Sequence, residues 1–192
     1  MKQQMEFPTS KEVEKELKRV EYKARYGRTL TSTLFILITA AAAAALVAML
    51  WLPVLEIYGS SMTPTLQEGE YVISIKSKEF EKGDVIAFYY GNKLLVKRYI
   101  AGPGSWVDIK EDGTIIVDGV ELDEPYISEH SFGNCDLELP YQVPESKYFL
   151  VGDHRASSVD SRHTMVGCIS AEDIVGKIVY RVWPLEFMGA VQ

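Results

Sequence analysis

Cysteine is scarce in this 192-residue sequence, which contains only Cys135 and Cys168. Two isolated cysteines form neither a metal-binding motif nor a C-x-x-C redox motif, so neither chemistry is indicated. An oxidising compartment would permit a disulfide between them, and two unpaired thiols are the alternative. Internal repeats and low-complexity linkers are also absent. The length and the 47% of hydrophobic residues indicate one folded domain with accessories, rather than a disordered or polytopic membrane chain.

Charged residues are absent from residues 29–55, a run of 27 residues. As a helix this run would span roughly 40 Å, whereas about 20 apolar residues suffice to cross a bilayer. The apolar region of a cleavable signal peptide is shorter, at roughly 7–15 residues. The run also begins late, behind a charged segment of 28 residues. We therefore expect a permanent transmembrane helix over residues 29–55, with Pro53 marking its exit.

The charges on the two sides of this run differ in sign. Residues 1–28 contain eight Lys/Arg and five Asp/Glu, whereas residues 56–192 contain twelve and twenty-two. By the positive-inside rule, this asymmetry predicts a cytoplasmic segment over residues 1–28 and an extracytoplasmic domain over residues 56–192. The acidic domain argues against nucleic acid as a partner, because phosphates require Lys and Arg. Thr9 and Glu12 have the spacing of a capping box, which predicts a helix over residues 10–26.

The extracytoplasmic part is predicted to be mostly β, because short β-branched and aromatic runs recur between turn signals. The runs are residues 71–76, 84–90, 94–101, 106–110, 114–117, 147–151 and 177–182. Asp-Gly pairs at residues 112–113 and 118–119 predict hairpins. The spacing of Ser170 and Asp173 predicts one short helix. Residues 124–146 lack a pattern and are expected to form a long loop.

Two serines, Ser60 and Ser61, follow the apolar run within the sequence Gly-Ser-Ser-Met. A serine just outside a bilayer could act as a nucleophile. It does not belong to a G-x-S-x-G elbow, because Thr63 stands where the second glycine would be. Taken alone, a Ser-Ser pair before Pro64 is ordinary turn sequence.

One predicted strand combines cations with apolar residues. Alternation places Leu95, Lys97 and Tyr99 on one face, and Val96 and Arg98 on the other. A lysine in apolar surroundings has a lowered pKa and can act as a general base near neutral pH. The alternative is an edge-strand lysine whose ammonium group reaches water.

Residues 152–162 form a third cluster, dense in short hydrogen-bonding side chains and opposite charges. Asp160 and Arg162 can pair in a bidentate manner. The cluster could position a base or bind an anion, or it could be only a polar turn.

Together these clusters resemble the motifs of the type I signal peptidases, which are membrane-anchored Ser-Lys proteases. Residues 61–66 match S-M-x-P-T-L fully, and residues 83–88 match G-D-[IV]-[IV]-x-F. Residues 97–105 match four positions of K-R-x-x-G-x-P-G-D, and residues 152–162 match seven of G-D-N-R-x-x-S-x-D-S-R. The resemblance covers nearly the whole chain. It implies an antiparallel β-sheet catalytic domain behind a single N-terminal transmembrane helix.

The sequence departs from the family pattern at a few positions. Ala101 replaces a glycine, Ser105 an aspartate and His154 an asparagine, and none of these changes removes a proposed catalytic group. Gly59 lacks the hydroxyl that some members use as an additional oxyanion donor. Backbone N–H groups, that of Ser61 first, would then have to stabilise the oxyanion.

The resemblance implies a serine endopeptidase that removes signal peptides from exported preproteins. Ser61 is implied to be the nucleophile and neutral Lys97 its base, with no metal or cofactor required. Ser158 is implied to orient the lysine through a hydrogen bond. Asp160 and Arg162 are implied to hold the loop, with Asp153 as a further structural residue.

The substrate is expected to bind as an added strand. The walls of the binding groove would be formed by two short segments, with Ile57, Tyr58 and Gly59 on one side and Leu95 and Val96 on the other. Apolar walls suit the small side chains of A-x-A cleavage sites. The lipid bilayer is the other expected partner, and nothing in the sequence identifies contacts with secretion machinery.

Three other interpretations are open. A Ser-His-Asp hydrolase would use His130, His154 or His163, and His154 lies beside Asp153. A Ser-Lys self-cleaving repressor shares the chemistry, but the membrane span and the acidic domain argue against it. A non-enzymatic, membrane-anchored β domain would serve assembly or binding.

Overall fold

The structure is a computed structural model that describes residues 10–51, 53–77 and 79–191. The chain divides into two compact units, Met1–Ala48 and Met49–Gln192. A single helix, α1 (Ser10–Trp51), accounts for the described part of the first unit. The second unit is a β domain.

Helix α1 is continuous over 42 residues. The helix predicted over residues 10–26 and the apolar run therefore belong to one element, because no proline interrupts them. Within α1, Val13–Val47 is long and apolar enough to cross a membrane. Thr9 and the side chain of Glu12 lie outside the described part of the chain, so the capping box stays a prediction.

The helix ends earlier than the sequence predicted. It stops at Trp51, and Val54–Glu56 already form a strand. Pro53 lacks the N–H group that would continue the helix, so the last residues of the predicted run 29–55 join the β domain instead.

Twelve strands form two antiparallel sheets in the described part of the domain. They are β1 (Val54–Glu56), β2 (Tyr71–Ile75), β3 (Val85–Tyr90), β4 (Lys93–Ala101), β5 (Trp106–Ile109), β6 (Ile115–Val117), β7 (Val120–Glu121), β8 (Tyr141–Gln142), β9 (Lys147–Val151), β10 (Ile169–Ser170), β11 (Ile174–Trp183) and β12 (Gly189–Ala190). The larger sheet has the order β1-β2-β11-β3-β4-β9-β10, and β12 pairs with β11. The smaller sheet has the order β7-β6-β5-β8.

All seven predicted strands are present, with ends that differ by three residues at most. Both Asp-Gly pairs connect antiparallel neighbours, β5 with β6 and β6 with β7, which confirms the hairpins. The predicted helix at Ser170 is wrong in extent. Only one 3-10 turn, Ala171–Asp173, forms there, and Ser170 makes no side-chain capping bond. The β-branched residues that follow enter β11 directly.

The segment over residues 124–146 is a loop apart from the two-residue strand β8, as predicted. Cys135 and Cys168 are both unpaired, which resolves the alternative left open by the sequence. Cys168 is buried, and Cys135 packs against the same hydrophobic cluster. Burial raises the pKa of the Cys168 thiol to about 11, so this thiol is inert.

Strand β4 is central in the larger sheet, between β3 and β9. The predicted alternation is confirmed, since Val96 packs against one apolar cluster of the sheet and Leu95 and Tyr99 against another. β4 pairs with β3 over residues 93–98 and with β9 from Arg98 onward, so neither Lys97 nor Arg98 lies on an edge strand. They are 4% and 0% exposed.

Candidate active site

Ser61 lies in the turn region that connects β1 to β2. The next residue, Met62, is 2% exposed, and Leu66 is fully buried. Both pack into the cluster that contains Ile57 and Val72, and the Leu66 N–H donates to the Met62 carbonyl at 2.9 Å. The apolar residues of the S-M-x-P-T-L motif therefore fix the turn to the core, while Ser61 itself stays partly accessible.

Lys97 extends from β4 to this turn. Its Nζ lies 2.5 Å from the Ser61 Oγ, although 36 residues separate the two along the chain. Burial lowers the pKa of Lys97 to about 8. The carboxylates of Asp160 and Asp153 oppose this shift, and the Arg162 guanidinium adds to it. A serine hydroxyl in contact with an amine that is easily deprotonated is an arrangement suited to nucleophilic catalysis.

Arg98 connects three of the sequence motifs. Its Nε and Nη2 donate to the two oxygens of Asp153 at 2.8 and 2.7 Å, in a fully buried bidentate pair. Nη2 also donates to Thr65 Oγ1 at 3.1 Å, and Nη1 donates to the Gly83 carbonyl. Thr65 Oγ1 in turn donates to Asp153. The charges beside Lys97 are thus paired and hydrogen-bonded, as buried charges must be.

Asp160 and Arg162 form the second buried pair, with the bidentate geometry that the sequence predicted. Arg162 Nε and Nη2 donate to the two carboxylate oxygens at 2.9 and 3.0 Å. The Gly152 N–H donates to the same carboxylate at 3.0 Å. Burial alone would raise the pKa of Asp160, but these bonds and the Arg162 charge outweigh it and lower the pKa. The pair closes residues 152–162 into a rigid loop.

Ser158 is 1% exposed and lies inside this loop. Its hydroxyl oxygen has no hydrogen-bond partner among the residues that the structure describes. The bond to Lys97 that the family resemblance implied is therefore not formed in this structure. A side chain at Gly152 would overlap both Ser158 Oγ and the Ser61 carbonyl oxygen, so only glycine permits this close approach.

His154 does not form a catalytic triad. Its ring is exposed, and Nδ1 lies 2.6 Å from the Ser157 hydroxyl, while Asp153 pairs with Arg98. Only the His154 backbone N–H reaches the serine turn, where it donates to the Ser61 carbonyl at 3.1 Å. The ring nitrogen of His163 lies 3.5 Å from Asp136. The hydroxyl of Ser61 is paired with lysine, so the triad interpretation is wrong for this geometry.

A groove of about 540 Å³ opens beside Ser61. Its lining includes the five residues predicted to bind substrate, Ile57, Tyr58, Gly59, Leu95 and Val96. Val54, Leu55, Glu56, Met62, Lys93 and Leu94 complete it. Two roughly extended chain segments therefore flank an apolar channel that leads to the serine hydroxyl.

Several residues of the site were missed by sequence reasoning. Thr65 lies within a recognised motif, and its buried hydroxyl contact was not predicted. Glu124 and Tyr126 lie in the unpatterned segment, yet Glu124 is 7% exposed and pairs with Arg155. The Tyr126 ring covers the Arg98 guanidinium at 3.7 Å. The sequence Glu-Pro-Tyr at residues 124–126 has no periodic pattern. An acid and an aromatic residue beside a proline were the only sequence signal for these contacts.

Comparison with known proteins identifies the class. A family described as "Signal peptidase, peptidase S26" matches residues 30–183. Signal peptidase IB of Staphylococcus aureus is 38% identical over 148 residues, covering 67% of this chain and 76% of that protein. Signal peptidase I of Streptococcus pneumoniae serotype 4 is 31% identical over 170 residues, covering 68% and 82%. A crystal structure of a signal peptidase I from Enterococcus faecalis V583 has 27% identity and a TM-score of 0.42, covering 52% of this chain and 96% of that one.

The protein is accordingly a serine peptidase of the S26 type. The chain belongs to the signal peptidase family, and its activity is that of signal peptidase I, the removal of signal peptides. The repressor and the non-enzymatic interpretations are thereby set aside.

Proposed function

We propose that Ser61 and Lys97 form the catalytic dyad of this signal peptidase. The observation that carries the proposal is the 2.5 Å contact between Ser61 Oγ and the Nζ of a lysine that is only 4% exposed. With a pKa of about 8, roughly a tenth of this lysine is neutral at pH 7. The neutral fraction can accept the serine proton across this contact.

The reaction then proceeds in two halves. Lys97 accepts the Ser61 proton as Oγ attacks the carbonyl carbon of the scissile peptide. The protonated lysine gives this proton to the leaving amide nitrogen, which releases the mature protein and leaves an acyl-enzyme on Ser61. A water molecule, deprotonated by Lys97, attacks the ester; the signal peptide leaves as its carboxylate, and the lysine returns the proton to Ser61 Oγ. The Ser61 backbone N–H is the first donor to the oxyanion, since Gly59 has no side chain to contribute.

The supporting residues act on the geometry and charge of the dyad. Asp160 and Arg162 hold the loop together. The Asp160 carboxylate raises the pKa of Lys97, and the Arg162 guanidinium lowers it. Asp153, which pairs with Arg98, also raises the pKa of Lys97. Ser158 is buried in this loop, and its role in orienting Lys97 is an expectation from the family resemblance.

The substrate lies in the groove as an extended peptide. Residues 57–59 and 95–96 line the groove as two short segments, which suits an extended peptide bound as an added strand. The apolar walls select small side chains of the A-x-A type near the scissile bond. Exported preproteins are the substrates, because they carry such sites behind their signal peptides.

Helix α1 anchors the enzyme in the membrane. Its apolar part is preceded by Lys and Arg, so residues 1–28 are cytoplasmic and residues 56–192 face the extracytoplasmic side. The site would then meet substrates as they emerge from the bilayer.

The test is cleavage of a preprotein that bears an A-x-A site by the detergent-solubilised full chain. Ser61→Ala and Lys97→Ala should each abolish cleavage. Their matched controls are Ser60→Ala, at the exposed neighbouring serine, and Lys110→Ala, at an exposed lysine in a surface pair. Both controls and His154→Ala should stay active. Full activity in folded Ser61→Ala or Lys97→Ala would overturn the proposed dyad.

A further inference from the structure

A buried carboxylate outside the four sequence motifs faces the loop of residues 152–162. Glu124, in the segment between β7 and β8, accepts Arg155 Nη1 at 2.9 Å and Nη2 at 2.5 Å. Both side chains of this pair are fully buried. The Tyr126 hydroxyl donates to the same carboxylate at 2.9 Å. The acid is thus fully engaged with one cation and one hydroxyl.

Arg155 transmits this contact to the loop. Its Nε donates to the Gly152 carbonyl at 3.1 Å, and its backbone carbonyl accepts Arg162 Nη2 at 2.9 Å. Gly152 and His154 are the loop residues nearest the nucleophile. The His154 N–H donates to the Ser61 carbonyl, and Gly152 leaves no room for a side chain against the same oxygen. The chain of contacts from Glu124 to the Ser61 backbone is therefore continuous.

The same segment also reaches the strand that carries the lysine. The Tyr126 ring contacts Arg98, with the guanidinium carbon 3.7 Å from the ring centroid. Arg98 is adjacent to Lys97 in β4 and pairs with Asp153. Residues 124–126 therefore contact two arginines that lie behind the dyad. Arg155 holds the loop beside Ser61, and Arg98 is the neighbour of Lys97 in β4.

We propose that Glu124 is a positioning residue for the peptidase reaction, which clamps Arg155 so that residues 152–158 hold Ser61 in line with Lys97. The inference rests on the dyad proposed above. Glu124 touches neither the groove nor the reacting atoms, so it acts on the rate of the chemical step rather than on substrate binding.

Removing the carboxylate has an electrostatic consequence as well. Without Glu124, Arg155 is a buried cation whose remaining acidic neighbour is Asp153. Arg155 then competes with Arg98 for Asp153, one of the two carboxylates that raise the pKa of Lys97. Asp160 and Arg162, the other charges that act on Lys97, stay in place. The base should therefore lose its proton at lower pH in the variant.

The experiment compares Glu124→Gln with wild type in the full-length, detergent-solubilised enzyme, with rates normalised to the folded fraction. The kcat should fall about 10- to 100-fold, with KM within about twofold of wild type. The acid limb of kcat/KM should move to lower pH. Glu124→Asp keeps the charge and should restore most of the rate and the wild-type limb. Glu121→Gln, at an exposed acid paired with Lys110, is the matched control and should behave as wild type.

Two results would overturn the inference. One is a folded Glu124→Gln enzyme with wild-type kcat. The other is a loss that follows the folded fraction alone, with an unmoved acid limb, since that pattern describes a purely structural residue. If Glu124→Gln does not fold, Arg155→Lys is measured instead, because it keeps the charge but loses the bidentate contact. Its folded fraction should then show a lowered kcat with little change in KM, and a wild-type kcat would overturn the inference. Ser61→Ala in the same assay distinguishes failure of this inference from failure of the proposed dyad. Activity in Ser61→Ala would contradict the dyad itself, and not only the role of Glu124.

Discussion

Thr65 Oγ1 donates to the Asp153 carboxylate at 2.5 Å, across 88 residues of sequence. The contact joins the motif that carries the nucleophile to the motif that follows β9. Arg98 donates to the same carboxylate and to the Thr65 hydroxyl. One hydroxyl, one carboxylate and one guanidinium therefore connect three separate chain segments behind Ser61 and Lys97. Each of the three segments thus supplies one member of the same hydrogen-bonded network.

Thr65→Val should destabilise the protein by about 1–3 kcal/mol. The substitution keeps the shape but removes the hydroxyl that bonds to both the Asp153 carboxylate and the Arg98 guanidinium in a part-buried site. Thr65→Ser retains the hydroxyl and should recover most of the loss. Chemical denaturation of the full chain in detergent gives the comparison. An unfolding midpoint for Thr65→Val equal to that of wild type would contradict the importance of this contact.

The rate of cleavage should follow the titration of Lys97. Because only neutral lysine accepts the serine proton, kcat/KM should rise about tenfold per pH unit below about pH 7 and level off above about pH 9. Its midpoint should lie near the lysine pKa of about 8. A pH series on a peptide substrate measures the limb. A limb centred near 6.5 that disappears in His154→Ala would instead point to an imidazole base.

Lys97→Met should be inactive but more stable than wild type at pH 7. Burial disfavours the charged lysine in the folded state, a cost on the order of 3 kcal/mol for the lowering of its pKa from 10.5 to about 8. The cost is present below pH 8 and disappears as pH rises to about 10.5, where the unfolded lysine also loses its proton. Unfolding at pH 7 and pH 10.5 should therefore show a stability gap that narrows with pH. A gap that stays constant would mean that desolvation of the amine is not its cause.

Asp160→Asn should destabilise the enzyme by about 3–5 kcal/mol, because it leaves the buried guanidinium of Arg162 without its counter-charge. The folded-state pKa of Asp160 is lowered, so its contribution is present at neutral pH. It is lost as pH falls below about 4, and the gap to wild type should then close. Glu121→Gln, at an exposed pair, serves as control and should show no measurable change. Equal stability of Asp160→Asn and wild type at pH 7 would refute the role of the pair.

The larger strands could be read from the sequence because their side chains alternate and their turns contain Asp-Gly pairs. β4 and β9 are examples in which pattern and pairing agree. The short strands β1 and β12 could not be predicted, because their extended backbone is set by the neighbouring strand rather than by local preference. The sequence also did not show that the two predicted N-terminal helices are one, since a change from charged to apolar residues does not break a helix.

The proposed catalytic groups could be found through motif spacing, whereas their surroundings could not. The sequence left open whether Lys97 is buried or reaches water, and the structure shows it buried. The contact between Glu124 and Arg155 spans 31 residues and depends on how the loop after β7 folds back, which no local pattern encodes. The orientation of the Ser158 hydroxyl is likewise a matter of tertiary packing, and the sequence alone suggested a bond that this structure does not contain.

The position of β4 also bears on whether the chain has proteolytic activity before it folds. In the unfolded polypeptide Lys97 is a hydrated, protonated amine and Ser61 an ordinary alcohol, so neither can cut a peptide bond. In the folded domain Lys97 is buried in the paired strand β4, and its desolvated amine gives up its proton near neutral pH. Under the proposed dyad, a chain in which β4 is unpaired should therefore cut no peptide bond.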